Sequence, residues 1–457
     1  KQVNEVNDIA KEIHELNREI VRVESNQSEH ANDLRDKRNL LLDKLATYAE
    51  INYREDGNGC VTVNFEGLPL VVDDRTFELG TMPTAEGSDL LQVVWADHAN
   101  MPTFSFTYLP SAETSTDVGS LKGLVYARGN YVGDYTLMSM DTNQVYLDKL
   151  DEYGYPAYST WSDFLVGEGY LSLSDAGDDD AVMRAYGAYY EKEVEPYLVT
   201  NVEAQLDYMM HNIVTTINDI LCPNIEIDAV MTVLDEEGNE IKLFKGTKIL
   251  DTENAPVGLG VDGEPGEELF SRATTPRYKK YKDEDGNTVY VYNEEDPSDK
   301  YTQYTITQLE VNDTLIKNPS MLPLSDAKEH SNRQDVLNNL LDAWSSEGEY
   351  EGMGDDHPKS NMKVLTPNTL TGYNFQGYYN AMIGDLSNSI NSYYNVAQNQ
   401  TIVSNQLDDR RQTVAGVNSD EELTNMIMFQ QAFNACSRYI NVVADMLDTL
   451  INRTGRM

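Results

Sequence analysis

The chain has 457 residues, of which 40% are hydrophobic, and a chain of this size and composition is expected to form about two to four globular domains. Its 34 basic and 77 acidic residues give a net charge of −43 at pH 7, which argues against nucleic-acid binding because such a surface repels phosphate groups. We interpret the acidity as a solubility feature. The three cysteines are too few and too scattered for a disulfide framework, and no apolar run is long enough to span a membrane.

Two amphipathic helices are predicted at the start of the chain. Apolar side chains recur every three or four residues from Val6 to Val23, which indicates the first helix, and a second helix ends at about Tyr48. The polar break between them, residues 25–30, is short, so the two helices are expected to lie antiparallel. Because the sequence begins inside the first helical pattern, we expect a further segment to precede Lys1.

The chain then changes from helical to strand periodicity. Residues 61–65 alternate between apolar and polar side chains after a turn-rich segment, and further strands are predicted up to about Tyr108. Residues 129–187 are rich in tyrosine, and we interpret them as an insertion with irregular and short helical structure. A long helix follows from Glu195 and is stopped by Pro223.

The pattern after Pro223 predicts a β-rich outer domain, residues 223–330, whose strands are separated by acidic, glycine-containing turns. Helical periodicity resumes after it and continues to the end of the chain. The predicted fold class is therefore α+β multidomain. Both chain ends, residues 1–222 and 331–457, are expected to form a discontinuous helical-bundle or coiled-coil domain with β-hairpin elements, into which the β-rich domain is inserted.

The last forty residues are the most informative part of the sequence. Ser419 and Glu422 have the spacing of a capping box, which predicts the start of a helix. Apolar residues then follow with alternating intervals of three and four, interrupted at Gln430 and Ser437, so one seam of a long helix is apolar. Such a seam needs a partner, which favours assembly over catalysis. The side chains predicted to be buried in assembly are Leu423, Ile427, Phe433, Ile440, Leu447 and Ile451.

No catalytic, cofactor or metal site is predicted. Residues 258–263 fit G-x-G-x-x-G, but the acidic segment that follows would repel phosphate and opens no helix, so a surface loop is the better interpretation. Calcium binding by Asp283-Glu284-Asp285-Gly286-Asn287 is left open, since the segment lacks most of a twelve-residue calcium loop and also fits a hairpin turn. The histidines form no metal-binding motif, and no nucleophile elbow is present.

The two ends of the chain also carry family motifs. The C-terminal part contains Gly416-Val417-Asn418, Asp420-Glu421-Glu422-Leu423, Phe429-Gln430-Gln431-Ala432-Phe433 and Met446-Leu447-Asp448-Thr449-Leu450-Ile451. The front contains Asn32-Asp33-Leu34, Asp36, Arg38, Leu41, Asp43 and Leu45, followed later by Ser120-Leu121-Lys122-Gly123-Leu124 and Ser331-Asn332-Arg333. In this combination the chain resembles the flagellar axial protein family, and within it the hook–filament junction members. The motifs cover roughly the first and last 130 residues.

This resemblance implies a structural subunit without enzymatic activity that joins the flagellar hook to the filament by helical self-assembly. The partners that it implies are further copies of the chain in a ring or helical tube, the hook protein, the second hook–filament junction protein, and an export chaperone on the C-terminal helix. It also implies an extracellular protein, exported by the flagellar type III apparatus without a cleaved signal peptide. Neither nucleic acid nor a membrane span is expected.

Two alternative functions remain open at this point. The tyrosine excess, 29 Tyr against 10 Phe, fits a surface-exposed module that binds glycans or a host, although half-buried tyrosines on small sheets explain it more simply. An axial protein that carries an inserted enzyme is the second alternative, but residues 129–187 contain no nucleophile or metal signature.

Overall fold

The computed structural model of the chain describes most of the sequence and divides it into two compact units, Lys1–Ser389 and Ile390–Met457. All structural statements concern the described residues, which are 1–25, 30–84, 90–106, 118–129, 132–138, 161–258, 266–296, 299–326, 331–345, 362–364 and 369–453.

The chain opens with two helices, α1 (Gln2–Glu24) and α2 (Asn32–Ala46). The predicted apolar stripe of α1 is buried, and it includes Val6, Ile13 and Ile20, each with no exposed surface. This stripe packs against α2 and against two strands of the following sheets. The predicted positions of the first two helices are thus confirmed, and the apolar face of α1 is covered within the chain.

Two three-stranded antiparallel sheets complete this N-terminal core. The first has the order β1-β2-β3 and the second β4-β5-β6. Phe65 and Trp95 meet edge to face between them, with ring centroids 6.4 Å apart. The strands are β1 (Ile51–Glu55), β2 (Val61–Phe65), β3 (Leu68–Val71), β4 (Leu79–Pro83), β5 (Leu91–Trp95) and β6 (Met101–Pro102).

A buried arginine ties the two helices to the first sheet. Arg38 on α2 is 1% exposed, and its Nη1 donates hydrogen bonds to Asn17 Oδ1 (3.0 Å) and to the carbonyl oxygen of Gly59 (2.6 Å). Its Nη2 pairs with Glu55 Oε2 at 2.9 Å. Asn17 in turn bonds both the amide and the carbonyl of Val61. The network fixes α1, α2 and the β1–β2 hairpin in one arrangement, because each buried polar group needs its partner.

The region that follows is helical. Residues 120–221 contain α3 (Ser120–Arg128), a 3-10 turn (Tyr135–Met138), α4 (Trp161–Gly167), α5 (Asp179–Glu193) and α6 (Leu198–Leu221). Several tyrosines of the predicted insertion lie in its core, among them Tyr135 and Tyr186, which are at most 3% exposed. The Tyr186 hydroxyl donates to Leu137 O at 2.7 Å. Tyr131, Tyr146, Tyr153, Tyr155 and Tyr158 lie outside the described residues.

A six-stranded antiparallel sheet with the order β7-β10-β13-β12-β8-β9 dominates the β-rich region. Beside it, β11 and β14 pair with each other. The strands are β7 (Asn224–Glu226), β8 (Met231–Leu234), β9 (Glu240–Leu243), β10 (Lys248–Leu250), β11 (Phe270–Arg272), β12 (Tyr278–Lys282), β13 (Thr288–Tyr292) and β14 (Leu309–Val311).

The remaining elements return the chain to helix. They are α7 (Asp313–Lys317), α8 (Gln334–Ser345), the hairpin β15 (Met362–Val364) with β16 (Thr369–Tyr373), α9 (Phe375–Ala415) and α10 (Ser419–Arg453). The α+β class is confirmed, with long terminal helices and a β-rich region between helical segments. The division into residues 1–222 with 331–457 and residues 223–330 remains a prediction.

Buried polar contacts attach the β-rich region to the last turns of α6. Asn218 donates to the Phe270 carbonyl oxygen at 2.7 Å, and Arg277 Nη2 donates to Asp219 Oδ1 at 2.5 Å. Glu268 is buried beside them and accepts the Tyr304 hydroxyl proton at 2.5 Å. These groups would be costly to bury unpaired, so their mutual satisfaction fixes where the sheet sits on α6.

A second polar group lies closer to the middle of α6. Asp207 accepts hydrogen bonds from the backbone N–H groups of Tyr135 (3.0 Å) and Ile306 (2.7 Å). One turn further, His211 Nε2 lies 3.0 Å from Glu295 Oε1, and the His211 ring stacks on Tyr135 with centroids 3.8 Å apart. Two loops that are distant in sequence are thereby held on one helix.

Arg38→Met tests the N-terminal network. The variant removes the donor to the Gly59 carbonyl oxygen and one of the two donors to Asn17 Oδ1. We therefore expect it to lower the free energy of unfolding by about 1–3 kcal/mol in urea denaturation. Lys37→Met on the same helix is the control, because the Lys37–Glu12 pair is largely exposed and is worth less than about 1 kcal/mol. Equal effects of the two substitutions would contradict the role of Arg38.

The buried carboxyl of Asp207 predicts a pH dependence of stability. Burial raises the pKa of Asp207 to about 6 from its ordinary 3.8, even though two backbone N–H groups favour its ionised form. An acid with a raised pKa in the folded chain contributes most to stability below its unfolded pKa, and this contribution is lost as the pH rises through the folded pKa. For a shift of this size the loss is about 3 kcal/mol.

Urea denaturation of the wild type and Asp207→Asn at a series of pH values checks this expectation. The free energy of unfolding of the wild type relative to the variant should fall between about pH 4 and pH 7, because asparagine does not titrate. A difference that stays constant over this range would show that Asp207 is ionised at an ordinary pKa.

Candidate assembly surface

Helix α10 begins at a local cap after a short break in the chain. Asn418 Oδ1 accepts a hydrogen bond from the Asp420 amide at 3.1 Å, and the Glu422 amide bonds the Asn418 carbonyl oxygen at 2.9 Å. The predicted start is therefore confirmed, but the predicted cap was wrong by one residue, since Asn418 and not Ser419 supplies the capping oxygen. The acidic residues of the first turn favour this start, because they face the positive end of the helix dipole.

A glycine separates α10 from α9. The Gly416 amide donates to the Gln412 carbonyl oxygen at 2.7 Å, and a Cβ atom at this position would lie 2.2 Å from that oxygen. Any other residue would therefore push the chain away from the end of α9, which explains why the break between the two helices falls here.

All six side chains predicted for assembly are exposed along α10. Their exposed fractions range from 45% for Ile427 to 71% for Phe433. The other four, Leu423, Ile440, Leu447 and Ile451, lie between these values. The structure therefore places none of them in a core of this chain, and their role in assembly remains a proposal.

Further apolar side chains, of which the three-and-four spacing selected only Met426, widen this surface. Met426, Met428, Phe429, Tyr439, Val442, Val443 and Met446 are exposed as well. At about 100° per residue, the apolar residues from Phe429 onward cover about 200° of the helix circumference. The opposite side carries a polar strip of Gln430, Asn434, Arg438, Asn441, Asp445, Asp448 and Asn452.

An apolar arc of this width is broader than the seam of a two-stranded coiled coil, which uses two positions in seven. It is also poor in charge, since Arg438 is the one charged residue between Leu423 and Ala444 in a chain with a net charge of −43. Contact with more than one neighbour would be needed to cover it.

The unit that contains α10 has no buried core among its described residues. Within residues 390–453 the side chains are exposed or, at a few positions, partly exposed. The beginning of α9 behaves differently, because Phe375, Tyr378 and Met382 are buried against α6. Helices of this kind gain most of their stability from a packed apolar face, so the unit is expected to gain stability when other chains cover it.

The described residues provide no alternative site with an evident chemistry. They contain no group of three or more His, Cys, Asp or Glu residues that could hold a metal ion. Asp283 uses both carboxylate oxygens to close its hairpin, with Asn287 N at 2.7 Å from one and Asn287 Nδ2 at 2.9 Å from the other. Residues 259–263 of the G-x-G-x-x-G segment lie outside the described part of the chain.

None of the helices in the described ranges combines the length and the apolar character that crossing a membrane requires.

Two family models match the ends of the chain. The model of the flagellar hook-associated protein FlgK helical domain matches residues 1–151, and the model of the flagellar basal body rod FlgEFG protein C-terminal region matches residues 412–453. The second match contains all of α10. A relative, flagellar hook-associated protein 1 of Bacillus subtilis (strain 168), is 38% identical over 78 residues. This alignment covers 17% of the chain and 15% of the relative.

These matches are to structural proteins of the bacterial flagellum. Both ends of the chain are similar to flagellar hook-associated and rod proteins, as the motifs there indicate. The hook-associated family is structural, which agrees with the prediction that the chain is not an enzyme.

Substitutions on α10 test whether its apolar residues form an exposed assembly surface or are packed in a core within the chain. Phe433→Ser and Leu447→Ser should leave the free energy of unfolding of the isolated chain within about 0.5 kcal/mol of the wild type, because both side chains are exposed. Met382→Ala in the buried part of α9 is the matched control and should cost about 2–5 kcal/mol. A comparable loss for the two α10 variants in urea denaturation would show that α10 is packed within the chain.

Proposed function

We propose that the chain joins the flagellar hook to the filament as a structural subunit that self-assembles into a ring or helical tube. The observation that carries this proposal is the wide, charge-poor apolar surface of α10, which has no cover within its own unit. Burial of this apolar surface against neighbouring subunits contributes about 25 cal/mol of stabilisation per Å², which supplies a driving force for assembly.

The N-terminal region supports this proposal in a different way. The apolar face of α1 is already used by α2 and the small sheets, so this region is a folded body rather than a loose terminus. Residues 1–151 match the helical domain of the hook-associated family. A folded body and an apolar terminal helix in one chain suit a joint, because the helix can bind neighbours while the body sets their spacing.

The proposed partners are further copies of the chain, the hook protein and the second hook–filament junction protein. An export chaperone is proposed to cover α10 before assembly, since this helix would otherwise expose a large apolar surface during export. The proposed location is extracellular, after export by the flagellar type III apparatus without a cleaved signal peptide. The high negative charge would keep the exported chain soluble until it assembles.

The test is genetic. In the source bacterium, the gene is replaced by the variant Phe433→Ser, Ile440→Ser, Leu447→Ser, which weakens the apolar arc at three successive positions. We expect cells with hooks but without attached filaments, filament subunits in the medium and loss of swimming. Electron microscopy of the cells and soft-agar motility measure these outcomes.

The matched control is the variant Asn434→Ser, Asn441→Ser, Asp448→Ser, which changes three residues of the polar strip on the same helix. Its cells should carry normal filaments and swim like the wild type. Normal filaments on cells with the apolar-arc variant would contradict the proposal. Loss of the protein from the medium with accumulation inside the cell would locate the defect in export and support the proposed chaperone contact.

A further inference from the structure

An open cavity lies in the β-rich region of the unit Lys1–Ser389. It has a volume of about 560 Å³ and is bordered by the end of α6, by β7 and β10, and by the beginning of α8. This volume is within the range of small-molecule binding sites. Its lining is mostly polar, and several of the polar groups are held in place by side chains that do not line the cavity.

Asp219 and Asn224 form one wall. The Asp219 carboxylate is 57% exposed, and its Oδ1 is held at 2.5 Å by Nη2 of Arg277, whose side chain is 3% exposed. Asn224 Oδ1 accepts the Tyr278 hydroxyl proton at 2.7 Å, which leaves its amide N–H groups to act as donors. A fixed acceptor and a fixed donor thus stand side by side.

Arg333 and Asp335 also line the cavity. Arg333 Nε and Nη2 pair with the Asp335 carboxylate at 2.6–3.0 Å, and Nη1 donates to the Asn254 carbonyl oxygen at 3.1 Å. The Asn339 amide and the Lys248 ammonium also line the cavity, and neither has a hydrogen-bond or ion-pair partner within the described ranges. The cavity therefore offers groups that a ligand could engage without breaking existing contacts.

The charges of the lining indicate the ligand class. The lining contains three carboxylates and two cations, which are Asp219, Glu226, Asp335, Lys248 and Arg333. Arg333 and Asp335 neutralise each other. Neither a polyanion nor a strongly cationic ligand is therefore favoured. Alternating donors and acceptors with fixed directions suit a ligand with many hydroxyl groups. Tyr292 adds an aromatic surface, on which the apolar side of a sugar ring can pack.

From this geometry we infer that the cavity binds a neutral monosaccharide or disaccharide. This binding goes beyond the proposed role in assembly and would place a carbohydrate contact on the outer part of the subunit. The cavity and all residues that define it lie within the unit Lys1–Ser389.

Isothermal titration calorimetry of the full chain tests the inference, with the methyl glycosides of glucose, galactose, mannose and N-acetylglucosamine as probes. At least one should bind with a Kd below about 1 mM. Asn339→Trp, which fills the cavity from α8, should weaken this binding at least about tenfold, equivalent to about 1.4 kcal/mol. Asp219→Asn, which keeps an oxygen acceptor for Arg277, should weaken it as well, and it keeps the test valid if the tryptophan variant misfolds.

The control is Asp228→Ala, an exposed residue of the same region that does not line the cavity, and it should bind the sugar like the wild type. No heat of binding with any of the four glycosides at about 10 mM would overturn the inference. Unchanged binding by folded Asn339→Trp would also overturn it. Tighter binding of arginine methyl ester than of any sugar would do the same, and would assign the cavity to a basic side chain.

Discussion

An uncovered apolar helix is the constraint on which the organisation of this protein depends. Apolar side chains cover about 200° of the circumference of α10 from Phe429 onward, and the unit that contains it has no buried side chain among the described residues. The rest of the chain is strongly acidic and therefore remains in solution. The proposed assembly contacts thus lie on one terminal element, and the repulsion between acidic surfaces would limit contacts elsewhere.

The N-terminal body meets the opposite requirement, because it has to keep a fixed shape. Its core combines an apolar stripe on α1 with the buried Arg38–Asn17 network, and the two contribute differently. Apolar burial supplies most of the stability but tolerates several arrangements of similar size. The polar network admits one arrangement of α1, α2 and the first hairpin, since a shift would leave Arg38, Asn17 or Gly59 unsatisfied.

The β-rich region is held by the same kind of contact. Asn218 and Asp219 at the end of α6 bind Phe270 and Arg277, and Asp207 and His211 bind the loops around Tyr135 and Ile306. A region held at several points along one helix is expected to move with that helix.

The sequence by itself determined the positions of the long helices and the apolar character of the last one. The apolar period of α1, the stop at Pro223 and the break at Gly416 are local features, and a helix follows from contacts within a few residues. The family motifs likewise lie in continuous segments, so they could be recognised without a fold. The same holds for the strands of the two acidic hairpins, which are adjacent in sequence.

Tertiary structure alone decided which apolar faces are covered. The stripes of α1 and α10 look alike in sequence, yet one is buried and the other exposed, because burial depends on elements that are far away along the chain. The buried partners of Arg38 and Asp207, the helix α5 with its tyrosine core, and the short strands β10 and β11 could not be predicted for the same reason. The cavity between α6 and α8 is also lined by residues more than a hundred positions apart. A local sequence pattern cannot predict that such residues lie close together.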